Sequence, residues 1–565
     1  MSNSMLRVSS RASYHTLLDA LVLKQADDTP CIIMLEADRS ETVVTRRQFR
    51  QGALQAAQTL KSLGTERGDL VLISQTHGLA GVLAFWGALL LHAIPAMMPA
   101  MTEKLQIELY TAGLQELVRI SGVRLVLTTS QNLVVLRDVL ACNIASLDLF
   151  DVATNDCEIP GVAVRPNATE TAFLQHSSGT TGLQKGVALS HYAVLNQLAS
   201  YADAIHLNEH DVIISWLPLY HDMGLIASFL QPLMQGIPVV LMSPLDWARI
   251  PSLLLYAIDR FRGSLCWLPN FAFQHLTHKC RQRDTQELDL SSMRAFINCS
   301  EPVQAVAHQR FLDRFAENGV HSDMLSVSYA MAENTFAVTQ TAPGTSPNVE
   351  TVNLALLQSA GRAVPAISPT IAHQHVVSCG KPIHGTEIRV IDDLGQTLPD
   401  GEVGEILVRS DCMLSGYYQR PDLAKIDQEG WYHSGDRGYI RQGEMYVVGR
   451  TSDLIIHAGK NIYPQDLEAL ASQVDGVYAG RVVAFGLPDE NAGTELIAIV
   501  AETEEEDPAL RREICATLRK QIGAAMDLSI QYAHVVSRGW LIKTSSGKMA
   551  RQQNRQKWVK EFLKQ

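Results

Sequence analysis

The sequence predicts an α/β protein: a large N-terminal domain of layered α/β subdomains that carries a small β-rich subdomain, followed by a small α+β C-terminal domain. Three observations predict it. Short aliphatic runs with almost no polar alternation recur along most of the chain, as strands do when helices cover both faces of a parallel sheet. Longer helical patterns alternate with these runs, which is the signature of βαβ units. After about residue 380 the texture changes to short alternating strands separated by Gly, Asp and Pro turns.

Taken in order, a helical pattern at Thr45–Leu63 precedes the buried runs LVLIS (70–74) and VRLVLT (123–128). The runs DVIISWL (211–217), PVVLM (238–242) and GSLCWL (263–268) follow, then a helical pattern at Pro302–Glu317. The strands GTEIRVID, GEILVR and EMYVVGR place the β-rich subdomain at about 380–450. Helix and strand return from about 453: PQDLEALASQV, RVVAFGLP, LIAIVAE, an acidic turn at Glu502–Asp507, and a helix from Pro508 to about Ile522. A strand ends and a Gly-bearing charged segment begins near Arg450–Asp453, which sets domains of 1–451 and 452–565.

The 565 residues are 46% hydrophobic and 19% charged, which excludes a disordered chain. The balance of 47 basic and 59 acidic residues, a formal charge of −12, disfavours nucleic-acid binding through overall charge. Two stretches, Val71–Thr102 and Met223–Leu245, lack Asp, Glu, Lys and Arg. The clean apolar run of the first, Gly78–Leu91, is too short for ~30 Å of hydrocarbon, and Pro232, Gly236 and Pro238 interrupt the second, so no integral membrane span is expected. Nine scattered cysteines without a CxxC pair, and an N-terminus without an apolar h-region, are expected of reduced thiols in the cytoplasm.

Three segments carry chemistry. Ser177–Gly186, SSGTTGLQKG, follows the apolar TAFLQ and precedes a helical pattern. Its glycines let backbone approach a ligand, its hydroxyls donate and Lys185 adds a cation, which suits a polyphosphate; a solvated Ser/Thr/Gly linker has the same composition. It is not a Walker A loop, because no Gly-Lys pair in the chain is followed by Ser or Thr. Pro218–Gly224, PLYHDMG, puts His221 and Asp222 at the end of a buried strand, where open α/β sheets bind ligands; a packed core histidine is the alternative. Ser328–Glu333, SYAMAE, places an aromatic to stack on a base and a carboxylate to hold Mg²⁺.

Together with GWYHSGD (430–436), GRTSDLIIHAGKNIYPQDLE (449–468) and KTSSGK (543–548), the Ser/Thr/Gly loop and YAMAE resemble, in order and spacing, the acyl-adenylate-forming enzymes. That superfamily includes acyl-CoA synthetases, luciferases and peptide-synthetase adenylation domains. SWLPLYHDMGLI (215–226), QPLMQGIPVVLMSP (231–244), PNFAF (269–273), SEPV (300–303) and GKNIYPQD (459–466) make the chain most similar to the fatty acyl-AMP ligases. The long stretch between Glu333 and Gly380 resembles the insertion of those ligases and is placed at about 341–377. Several positions depart from the family pattern. His176 and Ser177 stand where Tyr-Thr is usual, Asn298-Cys299-Ser300 where Asn-Gly-Ala is, Ala330 where Gly is, and Ser452 where the hinge is Asp or Lys.

The resemblance implies ATP-dependent activation of a medium- or long-chain fatty acid, with Mg²⁺, to an acyl-adenylate, followed by transfer to an acyl carrier protein or a carrier domain of a polyketide or nonribosomal peptide synthase. It implies that Lys548 bridges the carboxylate and the α-phosphate, with His221 and Glu333 also catalytic. Ser178, Gly179, Thr180, Thr181, Gly182 and Lys185 would cradle the β- and γ-phosphates, with Glu333 and Thr181 on Mg²⁺. Ser300, Glu301, Pro302, Ser328 and Ala330 would line the nucleotide site, Tyr329 would stack on adenine, Asp436 would accept from the ribose hydroxyls, and Arg450 would contact ribose or phosphate. Ser452 would be the hinge of a mobile C-terminal domain, and the insertion would pack between the domains and restrain the rotation that transfer to CoA requires. An acyl-CoA synthetase and a catalytically idle nucleotide- or acyl-binding protein stay open as alternatives. Two further readings stay open beside their bland counterparts: an acyl pocket at Gly224–Leu230 and Trp267–Phe273 against ordinary core, and a carrier-docking patch at Arg551–Lys564 against a solvated helix face.

Overall fold

The computed structural model describes residues 7–8, 12–22, 27–101, 107–146, 166–177, 185–368, 370–423, 425–489, 494–526, 528–544 and 547–563. Among these, two large sheets organise the first part of the chain. One has seven strands in the order Gly416–Tyr417, Lys185–Ser190, Thr171–Ser177, Ile94–Met97, Leu70–Ile73, Leu125–Thr128 and Asn143–Ser146. The other has nine: Lys381–Pro382, Ala337–Gln340, Leu325–Ala330, Ala295–Cys299, Leu265–Leu268, Ile213–Ser215, Val239–Met242, Pro30–Leu35 and Glu41–Thr45. Its six central strands are parallel and its edges antiparallel. The parallel strands are buried along their length, which accounts for their unbroken aliphatic runs.

The helix Arg46–Ser62 shows why local sequence sets these boundaries. Thr45 accepts from the Gln48 amide and the Gln48 side chain accepts from the Thr45 amide, a reciprocal capping box. Its buried face is mostly Gly and Ala, and the helix Leu79–Leu90 lies close against it: a Cβ at Gly87 would stand 2.7 Å from Ala56 Cβ. The expected helix at Pro302–Glu317 begins only at Ala305, so Ser300–Pro302 remain outside it as a connection above the sheet.

A four-stranded antiparallel sheet follows: Thr386–Ile391, Gly404–Ser410, Tyr432–Arg441 and Glu444–Arg450. Its register sets Asp436 opposite Arg450. Beyond the short 3₁₀ turn Thr451–Asp453 come the ribbon Ile455–His457 with Lys460–Ile462, and a sheet of Val482–Asp489, Thr494–Thr503 and Tyr532–Ser537. The helices Pro464–Ala471 and Pro508–Met526 cover one face through Leu467, Leu518 and Ile522, and the helix Arg551–Trp558 covers the other through Trp558.

The stretch 341–377 has no strong helical period in sequence, yet it is built: strand Val349–Asn353, helix Leu354–Ala360 and strand His373–Val377, the strands paired antiparallel from Val349↔Val377 to Asn353↔His373. Asn353 caps the helix by accepting from the Leu356 amide at 3.1 Å. Val352, Leu357 and Val376 pack on Val403, Tyr439 and Tyr446 of the four-stranded sheet. Leu354 joins Ile455, Ile462 and Leu467 on the other side, and Gln374 donates to Asp466 at 2.9 Å. The insertion thus touches both the four-stranded sheet and the C-terminal elements. No helix among the described residues is long and apolar enough to cross a membrane.

Candidate active site

The C-terminal ends of the parallel strands supply one wall of the site. After strand Ile213–Ser215 the chain turns at Pro218–Tyr220 and enters a π-wound helix, Met223–Leu230. Gly224 is required there, because a Cβ would collide with the Pro218 carbonyl. His221 Nδ1 lies 2.6 Å from Asp222 Oδ1, which also accepts from the Met223 amide at 2.8 Å. Burial works against the Asp222 charge, but His221 and, beyond it, Lys548 outweigh burial and hold its pKa below the ordinary carboxylate value. After strand Ala295–Cys299, Ser300 takes a positive φ of 72°, a strained conformation for a residue with a Cβ. Glu301 then accepts from the Phe271 amide at 2.9 Å, so its carboxylate is aimed at the start of the helix Asn270–Lys279.

The second wall comes from strand Leu325–Ala330 and the four-stranded sheet. The Tyr329 hydroxyl donates to Asp436 Oδ2 at 2.6 Å, and Arg450 Nε donates to Asp436 Oδ1 at 3.0 Å. Tyr329 and Asp436 are each 8% exposed, while the Arg450 side chain is 56% exposed, so a buried pair is capped by an arginine that reaches solvent. Asp436 raises the Arg450 pKa, while burial and then Asp436 push the Tyr329 hydroxyl well up. Ser328 turns away and donates to the Thr339 carbonyl at 2.9 Å. Glu333, just beyond, takes the Tyr417 hydroxyl on Oε1 at 2.8 Å.

The third wall is a hairpin from the C-terminal elements. Thr544 N donates to the Lys548 carbonyl at 2.8 Å, Gly547 N to Thr544 O at 2.9 Å, and Ala550 N to Ile542 O at 3.1 Å. Lys543 and Met549 form an antiparallel bridge. This closed loop carries Lys548 to a place where burial lowers its pKa, Glu301 and Asp222 raise it, and Arg450 lowers it. Lys548, Glu301, Asp222 and Arg450 are therefore electrostatic neighbours although they come from four distant segments. Burial also lowers the Lys543 pKa, to about 8.

Lys548, His221, Glu333, Ser300, Glu301, Tyr329, Asp436 and Arg450 thus surround one region, with Ser328, Ala330 and Pro302 on its framing strand and connection. Lys185 begins the strand Lys185–Ser190 and lies 5.5 Å from the Tyr417 ring centroid. Ser178, Gly179, Thr180, Thr181 and Gly182 lie outside the described residues. Ser452 sits exposed in the turn Thr451–Asp453 and donates to Asp453 at 3.2 Å.

The basic run Arg551–Lys564 is partly committed to internal contacts. Arg551 is enclosed: it donates to Asp453 at 2.8 Å, to Glu468 at 2.7 Å and to the Ala484 carbonyl at 2.9 Å. Lys557 donates to the Trp540 carbonyl and lies over that ring. Sequence reasoning missed Arg551 as a clamp on the turn after Arg450, although its place three residues past Lys548 was the available signal. Gly224–Leu230 are buried throughout, and Trp267 Nε1 donates to the Tyr201 hydroxyl within the core. Above them Trp216 and Trp247 stack with centroids 3.6 Å apart and planes within 7°, edged by Phe271. A Cβ at Gly547 would stand 3.9 Å from the Phe271 ring.

The carboxylates Asp222, Glu301, Glu333 and Asp436 outnumber the cations Lys548, Arg450 and Lys185, so an anionic polyphosphate needs added positive charge here. Glu333 suits a divalent ion: Tyr417 occupies one oxygen, and the other makes no hydrogen bond among the described residues.

Comparison with known proteins identifies the family. The family model described as AMP-binding enzyme matches residues 22–418. The long-chain-fatty-acid–AMP ligase FadD28 of Mycobacterium tuberculosis is 30% identical over 90% of this chain and 90% of its own. The medium-chain-fatty-acid–[acyl-carrier-protein] ligase JamA of Moorena producens is 31% identical over 71% of this chain and 69% of its own. A fatty acyl-adenylate ligase from a study of the E. coli and L. pneumophila enzymes superposes with a TM-score of 0.89 at 26% identity, covering 99% of this chain and 100% of that one. The chain belongs to the AMP-binding enzyme family and is an AMP-forming acyl ligase that uses ATP.

Proposed function

We propose that the chain converts a medium- or long-chain fatty acid and ATP into acyl-adenylate and pyrophosphate, then passes the acyl group to the phosphopantetheine thiol of an acyl carrier protein or a synthase carrier domain. The carrying observation is the closed hairpin 542–550, which brings Lys548 among Asp222, Glu301 and Arg450.

In the first step a carboxylate oxygen attacks the α-phosphorus, a C–O–P linkage forms, and the bond to pyrophosphate breaks. Two anions must meet, so positive charge at the junction is the largest stabilising effect available. Lys548 supplies it from a fixed loop, and Glu301 and Asp222 counter the loss of proton affinity that its burial causes. Asp436, with both oxygens anchored by Tyr329 and Arg450, keeps free lone pairs for the ribose hydroxyls. The Tyr329 ring is held still by the same bond and offers its face to adenine. Ser300, Glu301, Pro302, Ser328 and Ala330 frame the nucleotide, and His221, held by Asp222, faces the reacting carboxylate. Lys185, with residues 178–182, is the set that would cradle the β- and γ-phosphates. Glu333 and Thr181 are the residues that would hold Mg²⁺, which would supply positive charge against the triphosphate and the leaving pyrophosphate.

In the second step the thiol sulfur attacks the acyl carbon, the bond to the phosphate oxygen breaks, and AMP leaves as the thiol gives up its proton. One site serves both steps if residues 452–565 turn about Ser452 relative to 1–451. The clamp of Arg551 on Asp453 and Glu468 makes the far side of that turn and the Lys548 hairpin move as one piece. The insertion, seated against both sides of the turn, supports a carrier protein over free CoA as acceptor, as does the acceptor in the name of JamA. Free, buried thiols such as Cys266, Cys299 and Cys379 suit the cytoplasm.

The test is a mass-spectrometric product screen: fatty acids of graded length with ATP and Mg²⁺, with CoA or with a phosphopantetheinylated carrier protein. Acyl-AMP, pyrophosphate and acyl-carrier are expected. Robust acyl-CoA would make the protein an acyl-CoA synthetase, and no pyrophosphate exchange with any acid would leave only a binding protein.

A further inference from the structure

The side chain of Glu333 does not stand on a regular element. It sits in a one-turn 3₁₀ segment, Ala332–Asn334, closed by a tight turn whose central residue is Thr335 with φ 62° and ψ −51°. Phe336 N donates back to Asn334 O at 2.6 Å, which makes this a γ-turn of the rare positive-φ kind. A β-branched residue in that conformation is strained and persists only where neighbours hold it. Thr335 is fully buried, so the strain is not relieved by fraying.

One stretch of chain holds it. Ser410 Oγ donates to Asn334 Oδ1. The Thr335 hydroxyl donates to the Cys412 carbonyl at 2.7 Å, Leu414 N donates to the Glu333 carbonyl at 2.8 Å, and Tyr417 OH donates to Glu333 Oε1. The other side of the same stretch pairs with the strand that leaves the Ser/Thr/Gly loop: Ser415 N donates to Ala188 O at 2.9 Å and Tyr418 N to Gly186 O at 2.8 Å. Tyr417 stands at the junction. Its hydroxyl is shared with Glu333 and, at 3.0 Å, with the Tyr432 hydroxyl, while its ring lies under the Lys185 ammonium.

We propose that Ser410–Tyr418 is a strap that sets the Glu333 carboxylate and ties it to the strand leaving the Ser/Thr/Gly loop, with Tyr417 as the positioning residue. The inference rests on the reading of Glu333 as the Mg²⁺ ligand. Tyr417 occupies one carboxylate oxygen and fixes the side-chain torsions, so the other oxygen points to one place without an entropic cost at the moment the ion arrives. Because Lys185 stacks on the same ring, the cation for the phosphates and the carboxylate for the ion are placed relative to each other by one side chain.

Tyr417→Phe keeps the ring under Lys185 and removes only the hydroxyl. By isothermal titration with ATP at graded Mg²⁺, the variant should need about five- to tenfold more Mg²⁺ for half-maximal tightening of ATP binding, the net worth of about one hydrogen bond. ATP affinity in EDTA and Tm should stay near those of the unaltered protein. Ser410→Ala, further along the strap, should give the same signature at smaller size, and adding Tyr417→Phe to Glu333→Gln should change nothing more. An unchanged Mg²⁺ requirement in Tyr417→Phe, equal weakening in EDTA, or multiplicative effects in the double variant would overturn the proposal. If Glu333→Gln itself leaves the Mg²⁺ requirement unaltered, the ion reading of Glu333 fails and the strap with it. If Glu333→Gln raises the requirement and Tyr417→Phe does not, the strap alone fails.

Discussion

The two halves of the site are built on opposite plans. On one side Asp222, Glu301 and Tyr329 stand at or beyond the ends of parallel strands and Asp436 stands within the four-stranded sheet, and each polar group is held by a hydrogen-bond partner. On the other side Lys548 stands alone on a hairpin that is closed on itself and joined to the rest by the Asn554 amide and the Arg551 clamp. The first half is fixed by the sheet it grows from. The second is fixed only internally, so its position is free to change without loss of its shape. Under the proposed two-step reaction that division matters: the binding wall would stay, and the group required for only one step could leave.

The sharpest way to break the comparison is Lys548→Ala. Adenylation should fall by about 10²–10³, with ATP affinity near unchanged because the fixed wall is intact; pyrophosphate exchange and titration measured side by side would check both. Asp436→Ala should do the reverse and weaken ATP binding itself, since it empties the fixed wall. Ser452→Pro next tests the turn: proline locks φ and removes a donor, so thioester formation should drop more than adenylation in single-turnover experiments. Equal losses would place the hinge elsewhere.

Smaller effects lie in the insertion. Leu354→Ala removes the side chain that reaches into the core of Ile455, Ile462 and Leu467, which for a buried leucine costs roughly 2–5 kcal/mol. Acyl-CoA should then appear where the intact protein makes little, with adenylation unaltered. The smallest effect concerns Asp466, whose pKa burial raises to about 7, with Gln374 working the other way and Glu468 adding to the rise. A carboxyl raised in the folded state keeps a proton that the unfolded chain releases. Stability is therefore favoured at low pH and lost as pH climbs from the ordinary carboxylate range through about 7. Asp466→Asn should remove that slope, so the fall in Tm between pH 5 and pH 8 should shrink.

Much of this was legible in the sequence, and the reasons differ by element. The parallel strands announce themselves because burial on both faces leaves no polar residue to interrupt them, and Arg46–Ser62 because Thr45 and Gln48 cap it. The ribbon of the insertion is hidden: VETVN and HQHVV are short, half polar, and pair across a gap too long for a turn signal. Asp436 and Arg450 were legible as residues, but their pairing depends on the hairpin register with its bulge between Arg437 and Gly438, which no motif encodes. Tyr417 was invisible, since one aromatic after a glycine is common and its meaning comes only from Glu333 and Lys185 meeting on either side of it. Arg551 was misjudged as surface charge because a basic run looks the same whether or not carboxylates from 83 and 98 residues away close over its first member.

The stacked indoles of Trp216 and Trp247 carry a practical consequence. Two parallel chromophores 3.6 Å apart couple their electronic transitions, and Phe271, which edges both, lies beneath Gly547 at the tip of the hairpin. The protein thus carries its own optical marker one ring away from the part proposed to move. Departure of the hairpin would expose Phe271 to water and alter the near-ultraviolet ellipticity of the pair, so domain closure can be timed by stopped flow without attaching a dye.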